Sequence, residues 1–324
     1  MGDYVPEPTV KPAADFNAAE DGATLRAAMK GLGTDEQAII DILTQRSNDQ
    51  RQQIAKFFTE EYGRDLIEDL KSELGGHFED VIVALVVPHF DYLAKQLHKA
   101  MAGLGTDEET LVEILCSKTN EEVKKIVEAY ERLYDRPLAE HLCSETSGDF
   151  RRLLTLIITR MITDGVRDDE SLDPEKAKDE AQQLYEAGEL KLGTDEEVFN
   201  RIMAHESFAQ LRLIFEEYKN ISGRTIEQAL ESELSGELLL AMMALVECVQ
   251  NPAAYFAKRL HNALAGAGTD DKTLIRIIVS RSEIDLGTIK KEYERIYDKT
   301  LESAVKSDTS GDYKRALVAL IGGP

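Results

Sequence analysis

The chain has 324 residues, 43% of them hydrophobic, and its 61 acidic and 38 basic residues give a formal net charge of −23. This length suits one large core or several small ones, and no run approaches the roughly 18 consecutive apolar residues of a membrane span. So negative a chain repels nucleic acid and anionic lipid head groups at long range, so no nucleic-acid partner is expected, and contact with a phosphate-rich surface would need a cation from outside.

The N-terminal segment, residues 1–14, is short and rich in proline, and we predict that it forms a separate head. It lacks a basic stretch followed by an apolar run, so no secretion signal is expected. The head is expected to be disordered, with Tyr4 as a candidate modification site. Myristoylation of Gly2 is weakly supported, because Pro6 stands where the motif needs Ser or Thr.

Four copies of one sequence unit follow the head. Each copy has a Gly-rich loop ending in Gly-Thr-Asp and an acidic residue 40 positions after that glycine. The loops begin at Gly31, Gly103, Lys191 and Gly266, and the acidic residues are Glu73, Glu145, Glu233 and Asp308. We predict repeats at 15–87, 88–162, 177–250 and 251–324, and an exposed polar connector at 163–176.

Apolar residues within the repeats recur with the period of an α-helix, as Ile39, Ile42 and Leu43 do after the first loop. No stretch alternates convincingly with period two. The sequence therefore predicts an all-α fold with about five short helices in each repeat of about 70 residues. The loop threonines are predicted to be helix N-caps, with a capping box at Thr34, Thr106 and Thr194 and without the reciprocal bond at Thr269.

The first loop resembles part of a phosphate-binding motif, but the rest of that motif is absent. A P-loop needs Lys-Ser/Thr after its second glycine, and here Thr34 and Asp35 follow. A dinucleotide fingerprint needs a preceding strand and a third glycine. The sequence therefore argues against nucleotide binding at this loop.

A hard cation fits the first loop better. Calcium takes about six to eight oxygen ligands, and the glycines allow the carbonyls of Met29, Gly31 and Gly33 to point toward one place. These neutral oxygens need a carboxylate, and an interval of two helices and a short crossing helix would bring Glu73 back to the same end. The alternative is ordinary helix capping, but four copies with a matched acid favour calcium.

The residue at each loop tip is apolar, and two explanations stay open at this point. The tips would dip into the interfacial layer of a bilayer if the four loops share one face, or they would pack onto their own repeats. The tip residues are Leu32, Leu104, Leu192 and Ala267.

These motifs resemble the annexin family over nearly the whole chain from Asp15, and the segment from Ser280 is especially similar to the family's fourth repeat. The resemblance implies a curved disc of four five-helix domains. It also implies several Ca²⁺ ions per chain, reversible calcium-dependent binding to anionic phospholipids such as phosphatidylserine, and no enzymatic activity. Self-association on membranes and a protein partner for the head are further expectations.

The resemblance also assigns a ligand set to each repeat. The sets are Met29, Gly31 and Gly33 with Glu73; Met101, Gly103 and Gly105 with Glu145; Gly188, Lys191 and Gly193 with Glu233; and Leu264, Gly266 and Gly268 with Asp308. The third repeat departs most from the family pattern. Leu192 replaces the tryptophan that is frequent at this tip, and Glu206 reverses the charge of an arginine that Arg46 and Arg281 retain in other repeats.

Three free cysteines and the lack of a paired histidine argue against a zinc site and for a reducing compartment. The protein is therefore expected in the cytoplasm, and peripherally on membranes when calcium rises. A calcium-independent helical scaffold that binds protein partners is the main alternative. A hydrolase lacks support because no nucleophile motif is present, and a channel lacks hydrophobic spans.

Overall fold

A computed structural model describes the backbone of residues 4–164 and 169–322, and the side chains of these residues except 160–164. Within these ranges the chain forms twenty α-helices and no strand, five helices for each repeat. The all-α prediction is confirmed. In the same ranges no helix combines the length and the apolar character that crossing a membrane requires.

The helices follow one another through short connections. In the first repeat they are α1 (Ala18–Met29), α2 (Glu36–Leu43), α3 (Asn48–Tyr62), α4 (Leu66–Glu73) and α5 (Gly76–Val86). The second has α6 (His89–Met101), α7 (Glu108–Cys116), α8 (Asn120–Tyr134), α9 (Leu138–Glu145) and α10 (Gly148–Asp164). The third has α11 (Pro174–Ala187), α12 (Glu196–His205), α13 (Phe208–Ser222), α14 (Ile226–Glu233) and α15 (Gly236–Gln250). The fourth has α16 (Pro252–Leu264), α17 (Asp271–Arg281), α18 (Leu286–Tyr297), α19 (Leu301–Asp308) and α20 (Gly311–Gly322).

The repeats pair into two compact units, 1–92 with 253–324 and 93–252. In the first unit α5 packs against α17 and α20, and α2 packs against α20. In the second unit α7 packs against α15, and α10 packs against α12 and α15. Each unit thus buries apolar helix faces between two repeats as well as within them.

Aspartates, not the loop threonines, cap the second helix of each repeat, so the predicted threonine caps are wrong. The N-caps are Asp35, Asp107, Asp195 and Asp270. The first two and the last accept a hydrogen bond from the backbone N–H three residues on, which satisfies one free donor of the first turn. The threonines are therefore available for another contact.

The predicted connector is described only in part, because residues 165–168 lie outside the described ranges. Helix α10 extends to Asp164 and α11 starts at Pro174, so helix enters the predicted segment from both sides. Residues 169–173 between them are exposed, as a polar connector requires. Gly2, the weakly supported myristoylation site, also lies outside the described ranges.

The head is ordered from Tyr4 onward, so the expectation of a disordered head is wrong for residues 4–13. The backbone N–H groups of Thr9 and Val10 donate to the Ser282 carbonyl at 2.8 and 3.0 Å, and the Gly287 N–H donates to the Glu7 carbonyl at 2.7 Å. The Tyr4 hydroxyl donates to the fully buried Asp285 carboxylate. Backbone hydrogen bonds, which composition does not reveal, hold this proline-rich segment in place.

Tyr4→Phe is expected to lower the free energy of unfolding by about 1–2 kcal/mol, because the charged Asp285 loses one hydrogen-bond donor. Arg281 still donates to both Asp285 oxygens at 2.8 Å, which limits the loss. Urea denaturation of the full chain measures the change, with Tyr62→Phe on α3 as a control. Equal midpoints for wild type and Tyr4→Phe would show that the head contact adds no stability.

The charge reversal in the third repeat is accommodated by a second change nearby. In the first repeat Arg46 pairs with Asp21 at 2.7 Å. In the third, Glu206 stands in place of that arginine. Glu180 stands in place of the aspartate, since Asp21 and Glu180 each lie seven residues before the alanine of their loop. Lys176 Nζ reaches Glu206 Oε1 at 2.6 Å. An ion pair with a buried acid beside it replaces the arginine–aspartate pair.

Candidate metal centres in the four loops

One backbone hydrogen bond closes each Gly-rich loop in the same way. The N–H of the capping aspartate donates to the carbonyl of an alanine in the last turn of the preceding helix. The pairs are Asp35–Ala28 at 2.9 Å, Asp107–Ala100 at 2.8 Å, Asp195–Ala187 at 2.9 Å and Asp270–Ala263 at 2.8 Å. The four sequence motifs therefore fold into one kind of loop.

The loop glycines adopt backbone angles that only glycine reaches easily. Positive φ angles occur at Gly31 (100°), Gly33 (85°), Gly103 (119°), Gly105 (90°), Gly193 (86°), Gly266 (126°) and Gly268 (107°). A side chain there would be strained even though nothing lies within 4 Å of its Cβ position. The glycines are thus required by the course of the backbone, in line with a loop built to direct its carbonyls.

Each predicted acid is the last residue of the fourth helix of its repeat. Glu73 ends α4, Glu145 ends α9, Glu233 ends α14 and Asp308 ends α19. In the first repeat the Thr34 hydroxyl donates to Glu73 Oε2 at 2.8 Å. In the second, the Thr106 hydroxyl donates to the Glu145 backbone carbonyl at 3.2 Å. The structure thus brings loop and acid together across 39 residues, and the threonine makes the link.

The third loop makes two hydrogen bonds to its acid. The Thr194 hydroxyl donates to both the carbonyl and Oε2 of Glu233, at 3.0 and 2.9 Å. A Cβ on Gly188 would lie 3.2 Å from Glu233 Cγ, so the glycine allows the carboxylate side chain to approach. Lys191 lies in the same loop with its amino group 3.5 Å from Asp195.

The fourth repeat lacks this link. Among the described residues no hydrogen bond joins Thr269 to Asp308, and the aspartate side chain is one methylene shorter than glutamate. Leu264, Gly266 and Gly268, whose carbonyls are the predicted ligands, lie in a loop with the same closing hydrogen bond and the same positive glycine φ angles as the first two loops. This repeat therefore has the least preorganised acid of the four.

In the second repeat a histidine lies beside the acid without adding a charge. His141 Nε2 is 4.0 Å from Glu145 Oε1. Burial first, and then the neighbouring Arg136 charge, lowers the pKa of His141, so the ring is neutral at pH 7. A neutral ring places no positive charge beside the Glu145 side chain.

The donor chemistry of the loops fits calcium. Backbone carbonyls with one carboxylate are ligands that a hard cation accepts. In the part of the chain that the structure describes, no three His, Cys, Asp or Glu side chains are arranged to hold a metal ion. A site in these loops would thus draw on the main chain. The hydroxyl link was missed from sequence, although a threonine recurs at the same place in all four loops.

The loop tips point into solvent. Relative exposure is 109% at Leu32, 108% at Leu104 and 104% at Leu192, and Ala267 is exposed as well. The alternative in which these residues pack onto their own repeats is therefore wrong. The third loop also exposes a second leucine, Leu190, at 60%, which its position in the sequence did not indicate.

Comparisons with known proteins agree with this architecture. The Annexin family model matches four segments, 20–85, 92–157, 179–245 and 255–320. The chain is 67% identical to annexin B10 of Drosophila melanogaster over 99% of both chains. It is 48% identical to annexin A7 of Homo sapiens, covering 98% of this chain and 64% of that protein.

Solved structures show the same similarity. Annexin III superposes with a TM-score of 0.94 at 47% identity, covering 98% of this chain and 97% of that one. The calcium-bound structure of annexin (Sm)1 superposes with a TM-score of 0.87 at 35% identity, covering 98% and 93%. The annexin family is known for calcium-dependent binding to phospholipid membranes, and its members are generally not enzymes. With four matched repeats and a relative that is similar along its whole length, this chain belongs to the annexin family.

Proposed function

We propose that this protein binds anionic phospholipid membranes reversibly and only when calcium is present, through its four Gly-rich loops. The ligands in the first three repeats are Met29, Gly31 and Gly33 with Glu73; Met101, Gly103 and Gly105 with Glu145; and Gly188, Lys191 and Gly193 with Glu233. Leu264, Gly266 and Gly268 with Asp308 complete the set in the fourth repeat. The backbone carbonyl of each loop residue and the carboxylate of each acid are the donor atoms.

One observation carries the proposal: a threonine of the Gly-rich loop holds the distal acid in three repeats. Helix capping alone needs no contact between a loop and a residue 40 positions later. Such a contact is useful if loop and acid act on one ligand, because it fixes their separation before the ligand arrives.

Bound Ca²⁺ would be coordinated by loop oxygens on one side and by a lipid phosphate oxygen on the other. The chain's own charge of −23 repels anionic lipid, so its residues provide selectivity for the calcium-loaded state. Leu32, Leu104 and Leu192, which are exposed at the loop tips, are proposed to enter the interfacial layer. Burying a leucine side chain there contributes about 1.5–3 kcal/mol.

We expect the protein to pellet with phosphatidylserine vesicles in calcium and to remain in the supernatant with chelator. Raising ionic strength in calcium should weaken pelleting, because exposed charges are screened. Phosphatidylcholine vesicles are the matched control and should bind little. Equal pelleting with and without calcium would contradict the proposal and would favour the alternative, a calcium-independent helical scaffold for protein partners.

The protein is proposed to reside in the cytoplasm and to move to membrane surfaces when calcium rises. Self-association is proposed to follow on the membrane, where binding concentrates the chains. The head, which lies against the fourth repeat through Glu7, Thr9 and Val10, is the proposed contact for a protein partner. Analytical ultracentrifugation in solution and crosslinking on vesicles distinguish the free chain from chains that self-associate on the membrane.

A further inference from the structure

The third loop is one residue longer than the other three, and the difference places an acid inside it. Seven positions separate the loop alanine from the capping aspartate in the first repeat, Ala28 to Asp35, and eight separate Ala187 from Asp195. Glu189 occupies the longer segment. The other loops have Lys30, Ala102 and Ala265 directly before the first residue of the Gly-rich motif, and none has an acid there.

Two donors hold the Glu189 carboxylate. The Tyr218 hydroxyl donates to Oε1 at 2.7 Å, and Arg224 Nη1 lies 3.5 Å from the same oxygen. Tyr218 is fully buried on α13, and the Glu189 side chain is only 16% exposed. A carboxylate drawn out of solvent onto a buried hydroxyl is held more firmly than a surface ion pair.

Arg224 connects this contact to the acid-bearing helix. Its Nη2 donates to the Gln228 carbonyl at 2.8 Å and to the Ser232 hydroxyl at 3.2 Å, next to Glu233 in the chain. The loop is thereby joined to both α13 and α14. The Thr194 link to Glu233 joins the other end of the loop to the same helix.

The position of Tyr218 is used differently in the first two repeats. Phe58 stands there in the first repeat and has no hydroxyl, and Tyr130 in the second makes hydrogen bonds with His98 and His141. Only in the third repeat does this hydroxyl meet a loop carboxylate among the described residues. The longer loop and its buried anchor thus occur together.

We propose that Glu189 is a positioning residue of the third repeat, whose carboxylate, held by Tyr218 and Arg224, fixes the longer loop in the conformation that sets Gly188 and Thr194 against Glu233. The same anchor keeps Leu190 and Leu192 turned to solvent on either side of Lys191. Its effect on membrane binding rests on the function proposed above, whereas its effect on the loop conformation does not.

Hydrogen exchange of the full-length protein, without calcium or lipid, tests the anchor independently of function. Loop hydrogen bonds protect the amides of Leu190 (to Tyr185, 3.2 Å), Lys191 (to Gly188, 3.1 Å) and Asp195 (to Ala187, 2.9 Å). Glu189→Ala and Tyr218→Phe are expected to speed their exchange about tenfold. The equivalent amides of Asp35, Asp107 and Asp270 serve as internal references and should not change.

A fluorescence measurement tests the consequence for membranes. The chain has no tryptophan, so Leu192→Trp places a single reporter at the third tip. In this background Glu189→Ala is expected to raise about fivefold the calcium concentration needed for the blue shift of the tryptophan emission on phosphatidylserine vesicles. A change of this size corresponds to the loss of about one hydrogen bond. Glu216→Gln removes an exposed charge from the same helix as Tyr218 and is the matched control.

The two measurements separate the possible failures. Unchanged amide exchange at Leu190, Lys191 and Asp195 in both variants would overturn the anchor, whatever the vesicles do. Faster exchange with no vesicle pelleting by any variant would support the anchor and contradict the proposed function. A lower thermal stability together with faster amide exchange in all four loops would indicate general destabilisation of the protein. This result would also reject a positioning role for Glu189.

Discussion

Replacing Glu73, Glu145 and Glu233 together by glutamine is expected to raise the calcium concentration for half-maximal vesicle binding about tenfold or more. Each change removes the charged donor of one site and keeps its shape, so that only neutral oxygens remain for the cation. Neutral carbonyls do not offset the cost of dehydrating a divalent ion as a carboxylate does. A calcium titration of cosedimentation with phosphatidylserine vesicles measures the shift.

The control must remove the same charge, because −20 repels an anionic surface less than −23 does. Glu61, Glu131 and Glu216 lie exposed on α3, α8 and α13 of the same three repeats. Their triple glutamine variant should bind at slightly lower calcium than wild type, and the site variant at much higher calcium. If both variants shift alike, net charge decides the binding and the assigned ligands are incorrect.

The threonine links allow a finer version of this experiment. Thr34→Val removes the hydroxyl that donates to Glu73 and leaves both loop and acid in the chain. Its effect should be smaller than that of Glu73→Gln, because the carboxylate remains and only its placement is lost. The fourth repeat, in which Asp308 has no such link, should contribute least to the calcium affinity of the wild type.

The repeats and the pairing of each loop with its acid were predictable because the spacing of the motifs in the sequence is regular. An acid 40 residues after a glycine, four times, indicates a contact without any coordinates. The capping residue was mistaken because Thr34 and Asp35 are both good N-caps and stand side by side. Only the start of α2 at Glu36 shows which one caps, and the threonine then proves to face Glu73.

The order of the head and the exposure of the loop tips depend on tertiary contacts. Nothing in the composition of residues 4–13 shows that Ser282 and Gly287 offer them backbone partners. Exposure of Leu32 likewise depends on how far the loop stands from its own repeat. Such features follow from the packing of distant segments, which periodicity within one segment does not encode.

Glu206 is a buried acid at a position where the sequence predicted disturbed core contacts, and the structure shows how its charge is compensated. A buried acid where other repeats have a base must find a cation or a proton. Lys176 supplies the cation, and the neighbouring Glu180 carboxyl, only 4% exposed, shares a hydrogen bond with Glu206. The second Glu180 oxygen is buried without a partner. The pair is therefore best satisfied with one proton bound.

Burial, and then the charge of Glu206, raises the pKa of Glu180 from its ordinary 4.5 to about 7, although Lys176 and Arg201 oppose the shift. An acid with a higher pKa in the folded protein than in the unfolded chain keeps its proton longer in the fold. Its contribution to stability is present at low pH and is lost as the pH rises from about 4.5 to about 7. Rising pH therefore weakens the third repeat at this point.

Glu180→Gln is expected to remove this dependence, because glutamine keeps the shape and never ionises. Its stability advantage over wild type should grow by about 2–3 kcal/mol between pH 5 and pH 8, the linkage expected from such a shift. Hydrogen exchange of the α11 amides reports the change locally, which matters since a chain of two units need not unfold in one step. Glu175→Gln, an exposed acid on the same helix, should show no such trend. If the advantage of Glu180→Gln were the same at both pH values, Glu180 would have to titrate as an ordinary carboxyl, and the proton would have to reside elsewhere.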